Sequence, residues 1–266
     1  MAQRTKRRQR HHVWPWVLGL TAVVLCLGLL LAGPGTGQEA SPRETIQETG
    51  APQTDASAPP VNIPGRLRQL AGENPETAVF VNAYPGDDSP DIDISGDYTP
   101  GQIPHFLQWD LRWGYHPYGG NRVEDLMGLS GCGPTALSMV VVGLTGNLEA
   151  NPAAVADFAV ESGYFTENDG TQWTLISQGA AHYGLTVWEI PLWEASMVQA
   201  LEDGPIICVV GPGDFTDKGH FLVLTSYEDG VFHLLDPNSR ANSGKIWTYG
   251  QLEGQIRAMW GLEAVP

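Results

Sequence analysis

One cysteine, one histidine and one carboxylate in this chain have the types and the neighbourhoods for nucleophilic catalysis. Cys132 stands between two glycines in "LSGCGPTALSMVVVGLTG", ahead of a proline and an unbroken apolar run. A helix entrance carries unpaired amide donors and partial positive charge, which lower a thiol's pKa and favour the nucleophilic thiolate. Gly131 and Gly133 are expected to let the backbone turn sharply and to keep space open above the sulfur for a carbonyl. A thiolate needs a base or ion-pair partner, and that base needs an orienting group. His220 begins "GHFLVLTSY" and Asp236 ends "VFHLLDPN". A hairpin turning at Glu228-Asp229-Gly230 brings the start of one strand beside the end of the next, which makes these two residues neighbours.

The elements that must position this trio follow from patterning. After Gly133 the apolar residues leave almost no polar face, so a buried central helix is expected with Cys132 at its N-terminus and Pro134 in its first turn. "NPAAVADFAVESG" has Asn151 as cap, Pro152 at the first position and Gly163 as stop, and a further helix ends on Gly184. "LTVWEIP" alternates like a strand, "WEASMVQALEDG" reads as a helix and "PIICVV" as an apolar strand. Ahead of these, residues 64 to 85 suit two short helices parted near Gly72 to Pro75. "GDDSPDIDISGDYTPGQ" reads as a solvated acidic loop leading to a short strand. Its likeness to a calcium loop fails at Gln102, where a bidentate Glu is required. Helices first and an antiparallel sheet later is an α+β order.

The remaining histidines and cysteines have simpler readings. His11 and His12 lie in the basic lead; His105, His116, His182 and His233 suit surface or satisfied core positions. Cys208, within the apolar strand, serves as a small hydrophobe, and Cys26 lies in an uncharged span. Trp109, Trp113, Trp173 and Tyr118 are read mostly as core aromatics. No cofactor is expected, and no metal, because neither H-x-x-x-H nor paired Cys/His spacing occurs.

Charge and hydropathy locate the domain. Arg4, Lys6, Arg7, Arg8 and Arg10 lie within the first ten positions, and the rest of the 266-residue chain then carries 9 basic residues against 30 acidic ones. That balance argues against nucleic acid as a partner. Residues 1–12 read as a basic cytoplasmic lead and 13–33, "VWPWVLGLTAVVLCLGLLLAG", as a transmembrane anchor with the remainder facing outward. A cleaved signal peptide is the competing reading, with a poor small-x-small match. Residues 34–63, rich in Pro, Gly, Ser, Thr and Ala, read as a disordered linker, and 64–266 as the catalytic domain.

Together, "FLQWDLRWGYHPYGG", "GCGPTALSMV", "GHFLVLTSYEDG" and "DPNS" resemble the C-39-like cysteine peptidases, papain-like relatives of the double-glycine leader peptidases. The likeness spans about residues 64 to 266. It implies a papain-like fold, with Cys132 as nucleophile, His220 as base and Asp236 as orienting acid. It also implies Gln108 as the oxyanion-hole side chain, acting with the Cys132 backbone N–H. Gln108 lies 24 residues before Cys132, a wider spacing than in the transporter-linked members of that family. No P-loop occurs either, so cleavage after double glycine is not carried over. The expected activity is hydrolysis of peptide bonds, with a peptide or protein as partner. An amidase or transpeptidase acting on cell-wall peptides would use the same trio, and a silent surface binding domain would keep the fold without the chemistry.

Overall fold

A computed structural model describes residues 61–88, 91–167 and 169–266. The basic lead, the apolar span at 13–33 and nearly all of the linker lie outside them. Among the described residues no helix is long and apolar enough to cross a membrane. All that follows concerns the unit Ala56–Pro266.

Two short helices come first, α1 (Gly65–Glu73) and α2 (Ala78–Asn82), joined by a single 3-10 turn at Pro75–Thr77. Leu67, Leu70, Phe80 and Val81 are their buried positions, packed with Leu107, Trp109 and Tyr115. The stretch from 91 to 126 then runs without a regular strand. The short strand expected after the acidic loop therefore does not form. Ile94 is buried there, while Asp97 reaches Arg112 at 2.6 Å and Asp93 Oδ1 accepts the Ser95 N–H at 2.8 Å. Local side-chain bonds of this kind compete with strand pairing.

Next come α3 (Met127–Ser130) and α4 (Cys132–Thr145). Eleven of the fourteen residues of α4 are buried. Each large apolar side chain among them contributes about 1.5–3 kcal/mol by leaving water, so tertiary packing rather than propensity holds a helix so rich in valine. A left-handed Gly146 ends it. Helix α5 (Pro152–Glu161) starts as its sequence dictates, with Asn151 Oδ1 accepting the Ala154 N–H at 3.0 Å. A two-residue ribbon, β1 (Phe165–Thr166) with β2 (Gly170–Thr171), follows, then α6 (Thr174–Ser177) and a 3-10 segment to Tyr183. The helix expected to end on Gly184 is thus broken into two at Gln178.

The remaining elements are β3 (Leu185–Glu189), α7 (Glu194–Asp203), β4 (Ile206–Val210), β5 (His220–Glu228), β6 (Val231–Leu235), α8 (Arg240–Ser243), α9 (Tyr249–Leu252) and β7 (Ile256–Ala264). Five of them form an antiparallel sheet in the order β3-β7-β4-β5-β6. One face, with Ile207, Val209, Phe221, Val223, Trp260 and Leu262, packs on α4. The other, with Ile206, Cys208, Val210, Leu222, Leu224 and Met259, packs on Met197 and Ala200 of α7. Period-two alternation is thus kept even where both faces are dry. Strand β7 has no counterpart among the sequence expectations, yet it lies between β3 and β4. Its stretch Met259–Leu262 is buried throughout, so no alternation marks it, and Gly261 sits where a Cβ would strike the Trp188 ring at 2.4 Å. Trp109, Trp113 and Tyr118 are core aromatics as expected, whereas Trp173 is 47% exposed.

Candidate active site

The thiol, the imidazole and the carboxylate come from three different kinds of local structure. Cys132 is the first residue of α4, where amide N–H groups lack partners within the helix. Its side chain is partly buried. Burial alone would push the thiol up, but the charge and hydrogen bonding of His220, with backbone amides of Phe221 and Gly133, outweigh that and hold it below the usual thiol range. Cys208 shows the contrast: buried in β4 with no such partner, it is pushed up to about 12.

His220 opens β5, and Asp236 is the first residue after β6. The turn between the strands uses two left-handed residues in succession, Asp229 at φ 52° and Gly230 at φ 85°, the geometry that suits the twist of a hairpin. Nε2 of His220 lies 2.7 Å from Asp236 Oδ1. Because an ionised carboxylate only accepts, Nε2 carries the proton and Nδ1 is the nitrogen left to face the thiol. Burial would push the imidazole down. The negative charge and hydrogen bond of Asp236, with a smaller part from Cys132, instead carry it up to about 10. Thiolate and imidazolium therefore coexist over the window between the lowered thiol value and about pH 10.

Asp236 is 1% exposed, and such burial requires that every lone pair be used. Oδ1 also accepts the Asn238 N–H at 2.8 Å, and Oδ2 accepts from Asn242 Nδ2 at 2.9 Å. Burial raises its pKa, and His220 together with these donors brings it below the usual carboxylate range. The Asp236 backbone is tied as well: its N–H donates to Ser243 Oγ at 2.8 Å and its carbonyl accepts from His105 Nε2 at 2.9 Å. His105 is a satisfied, partly buried histidine lying behind the carboxylate. His116 is likewise satisfied, between Asp88 at 2.9 Å and Asp157 at 2.8 Å.

Gln108 is 4% exposed. Its backbone N–H donates to the Pro237 carbonyl at 2.7 Å, and its Nε2 donates to the Gly128 carbonyl at 3.1 Å. The side chain is thus pinned between the Asp236 loop and the segment that leads into Cys132. Since a carbonyl can only accept, the Gly128 contact fixes which end of the amide is the donor and leaves its second N–H uncommitted. Oε1 has no partner among the described residues.

The two glycines beside Cys132 differ from expectation. Gly131 has φ −85°, open to any residue, and Gly133 is helical, so neither is needed for a sharp turn. They are needed for packing instead. A Cβ on Gly131 would meet Met127 O and Sδ at 2.6 Å, and one on Gly133 would meet Thr171 Cγ2 at 2.5 Å and Cβ at 2.8 Å. Thr171 in turn pairs with Tyr118 through their hydroxyls at 2.8 Å. Ordinarily Gly→Ala inside a helix stabilises by about 0.5–1 kcal/mol. Gly133→Ala is expected to do the opposite, costing about 1–3 kcal/mol in chemical denaturation, because Thr171 Cβ cannot swing aside and β2 must move.

Sequence reasoning did not single out Asn242, Ser243, Asn238 or Thr171. The polar run "NSRANS" after Asp236 was the available signal for the first three; a lone threonine in a two-residue strand offers none. Among the described residues no three His, Cys, Asp or Glu side chains converge as a metal site.

A helix N-terminal thiol, with a buried imidazole and a buried carboxylate at one end of the β5–β6 pair, defines a thiol–imidazole–carboxylate protein of mixed helix and sheet. Residues 101–262 match the model of the Peptidase C39 like family, and the chain belongs to that family. Membership suggests cysteine-peptidase activity. Among solved structures the chain is similar to the peptidase domain of Streptococcus ComA, a bifunctional ABC transporter involved in a quorum-sensing pathway. That likeness has 18% identity and a TM-score of 0.38, covering 52% of this chain and 92% of the other. It is also similar to a double-glycine-motif protease of an AMS/PCAT transporter, solved with its leader peptide, at 18% identity and a TM-score of 0.33, covering 51% and 84%. No curated protein matches the chain.

Proposed function

We propose that the chain is a peptidase in which the Cys132 thiolate attacks a peptide carbonyl. The observation that carries this reading is the 2.7 Å bond from His220 Nε2 to Asp236 Oδ1, which leaves Nδ1 free to serve the thiol. His220 holds the proton drawn from the thiol and returns it to the leaving amine. The tetrahedral oxyanion is met by the Cys132 N–H and the uncommitted N–H of Gln108 Nε2. Water, activated by the then neutral His220, releases the acyl group. Asp236 keeps the imidazole in the required tautomer. The substrate is a peptide or protein segment. The domain at 64–266 works outside the membrane, tethered by the helix read at 13–33, a placement supported by that uncharged span and its basic flank.

Iodoacetamide labelling of the full chain, mapped by mass spectrometry between pH 5 and 9, tests the thiol chemistry. An ordinary thiol has a pKa of about 8.5, so its rate falls roughly 200-fold from pH 9 to pH 6. The Cys132 thiolate persists above its lowered pKa, so its rate is expected to fall distinctly less than that of an ordinary thiol over that interval. Cys208 should remain unlabelled. A Cys132 that follows the steep profile of an ordinary thiol would sink the proposal. Cleavage of a peptide library then separates a peptidase from an enzyme that transfers or hydrolyses only cell-wall amides.

A further inference from the structure

The segment that holds Asp236 is itself held by residues that lie far ahead of it in the chain and outside the family-matched region. Helix α8 has only four residues, too short to persist unaided. It nonetheless supplies Asn242 to the Asp236 carboxylate and Ser243 to the Asp236 N–H. What organises its start is the carboxylate of Glu76, from the turn between α1 and α2. Oε1 accepts from Ser239 Oγ at 2.8 Å and from the Ala241 N–H at 3.2 Å, and Oε2 accepts from the Arg240 N–H at 2.9 Å. Burial would raise the pKa of Glu76, but these donors and the Arg240 charge bring it down, so it is ionised at neutral pH. Asn74 reinforces the same contact. Its Oδ1 accepts the Glu76 N–H at 3.1 Å while its Nδ2 donates to the Asn238 carbonyl at 2.7 Å, an oxygen shared with Trp109 Nε1 at 3.0 Å.

We infer that Glu76 is a positioning residue for the reaction: it fixes the 239–243 segment, which fixes Asp236, which fixes His220 against Cys132. The inference rests on the proposed role of Asp236. It makes the α1–α2 hairpin part of the working enzyme rather than an appendage. Three charge-assisted bonds on one carboxylate are stronger than their neutral equivalents, and two of them satisfy the Arg240 and Ala241 amides at the start of α8, which the helix itself leaves unpaired.

The test compares wild type, Glu76→Ala and Glu76→Gln in the full chain, reading kcat and KM on a cleaved peptide, the pH limits of activity and thermal unfolding. If Asp236 is displaced, its charge supports His220 less, so the alkaline limit of kcat/KM moves down while the acid limit of Cys132 alkylation moves up. Glu76→Ala is expected to lower kcat about tenfold with KM within about twofold, and to narrow that window at both ends. Glu76→Gln keeps the shape and one acceptor, so it is expected to lose about threefold; it carries the test should the alanine variant fail to fold. In an Asp236→Asn background the Glu76→Ala effect on the pH limits should vanish. A folded Glu76→Ala with wild-type kcat and pH limits would overturn the inference while leaving the catalytic reading intact. A wild-type Cys132 that alkylates as an ordinary thiol would overturn both.

Discussion

Cys132→Ala is expected to reduce peptide hydrolysis to background, a loss of about 10⁶-fold in kcat, corresponding to about 8 kcal/mol of transition-state stabilisation. The neighbouring hydroxyls do not replace the sulfur: Ser130 Oγ donates to the Leu126 carbonyl, Thr171 is engaged with Tyr118, and Cys208 is buried in β4. The fold should be unharmed. Ala is a good helix former at the first position of α4, and a partly buried thiolate held beside an imidazolium is removed with little loss of packing. Unfolding by denaturant should therefore shift by less than about 1 kcal/mol while turnover disappears. Retained hydrolysis in a purified Cys132→Ala chain would mean that the carbonyl is attacked by another group.

The second large effect is expected at Asp236, and here activity and stability fall together. Asp236→Ala strips acceptors from His220 Nε2, the Asn238 N–H and Asn242 Nδ2, all bonded to one carboxylate that is 1% exposed. Breaking a buried, fully bonded charge pair costs about 3–5 kcal/mol, and losing the orienting acid of a triad costs about 10⁴-fold in kcat. The pH dependence has a definite sign. The His220 pKa is raised from 6.5 to about 10, so its share of stability is complete below 6.5 and is lost as pH rises toward 10. The Asp236 pKa is lowered from 3.8, so its share is present above 3.8 and is lost as pH falls through the lower folded value. The difference in Tm between wild type and Asp236→Ala should thus be largest between about pH 4 and 6.5. Asp236→Asn keeps an oxygen for His220 and should be milder in kcat. Its alkaline limit should still fall, because burial then acts on the imidazole without the opposing charge. A Tm difference that is flat from pH 4 to 10 would contradict the pairing.

Much of the site was legible because its elements are specified locally. Gly131 to Thr145 has the composition of a buried helix and Cys132 stands at its start; Asp229-Gly230 admits the two left-handed residues of a tight turn, and that turn alone makes His220 and Asp236 neighbours. What was illegible depended on contacts distant in sequence. Gln108 looks like any loop glutamine, and only the family resemblance drew it in; its pinning by Pro237 and Gly128 exists only in the folded chain. Glu76 meets its partners more than 160 residues later. The glycines around Cys132 were read through backbone freedom, whereas side chains from Met127 and Thr171 are what exclude a Cβ. Strand β7 escaped because a strand buried on both faces and broken by glycine carries no period of two.

That strand's place in the sheet also sets a timetable. During synthesis β3, β4, β5 and β6 all emerge before β7, yet β3 has no partner in the sheet except β7, and β4 keeps an open edge until residues 256–264 arrive. Until then the face beneath α4 lacks Trp260 and Leu262, and the helix that presents Cys132 has an incomplete seat. Pairings so distant along the chain form late. The seat of the helix that carries Cys132 is therefore closed by the strand at residues 256–264, the last one described.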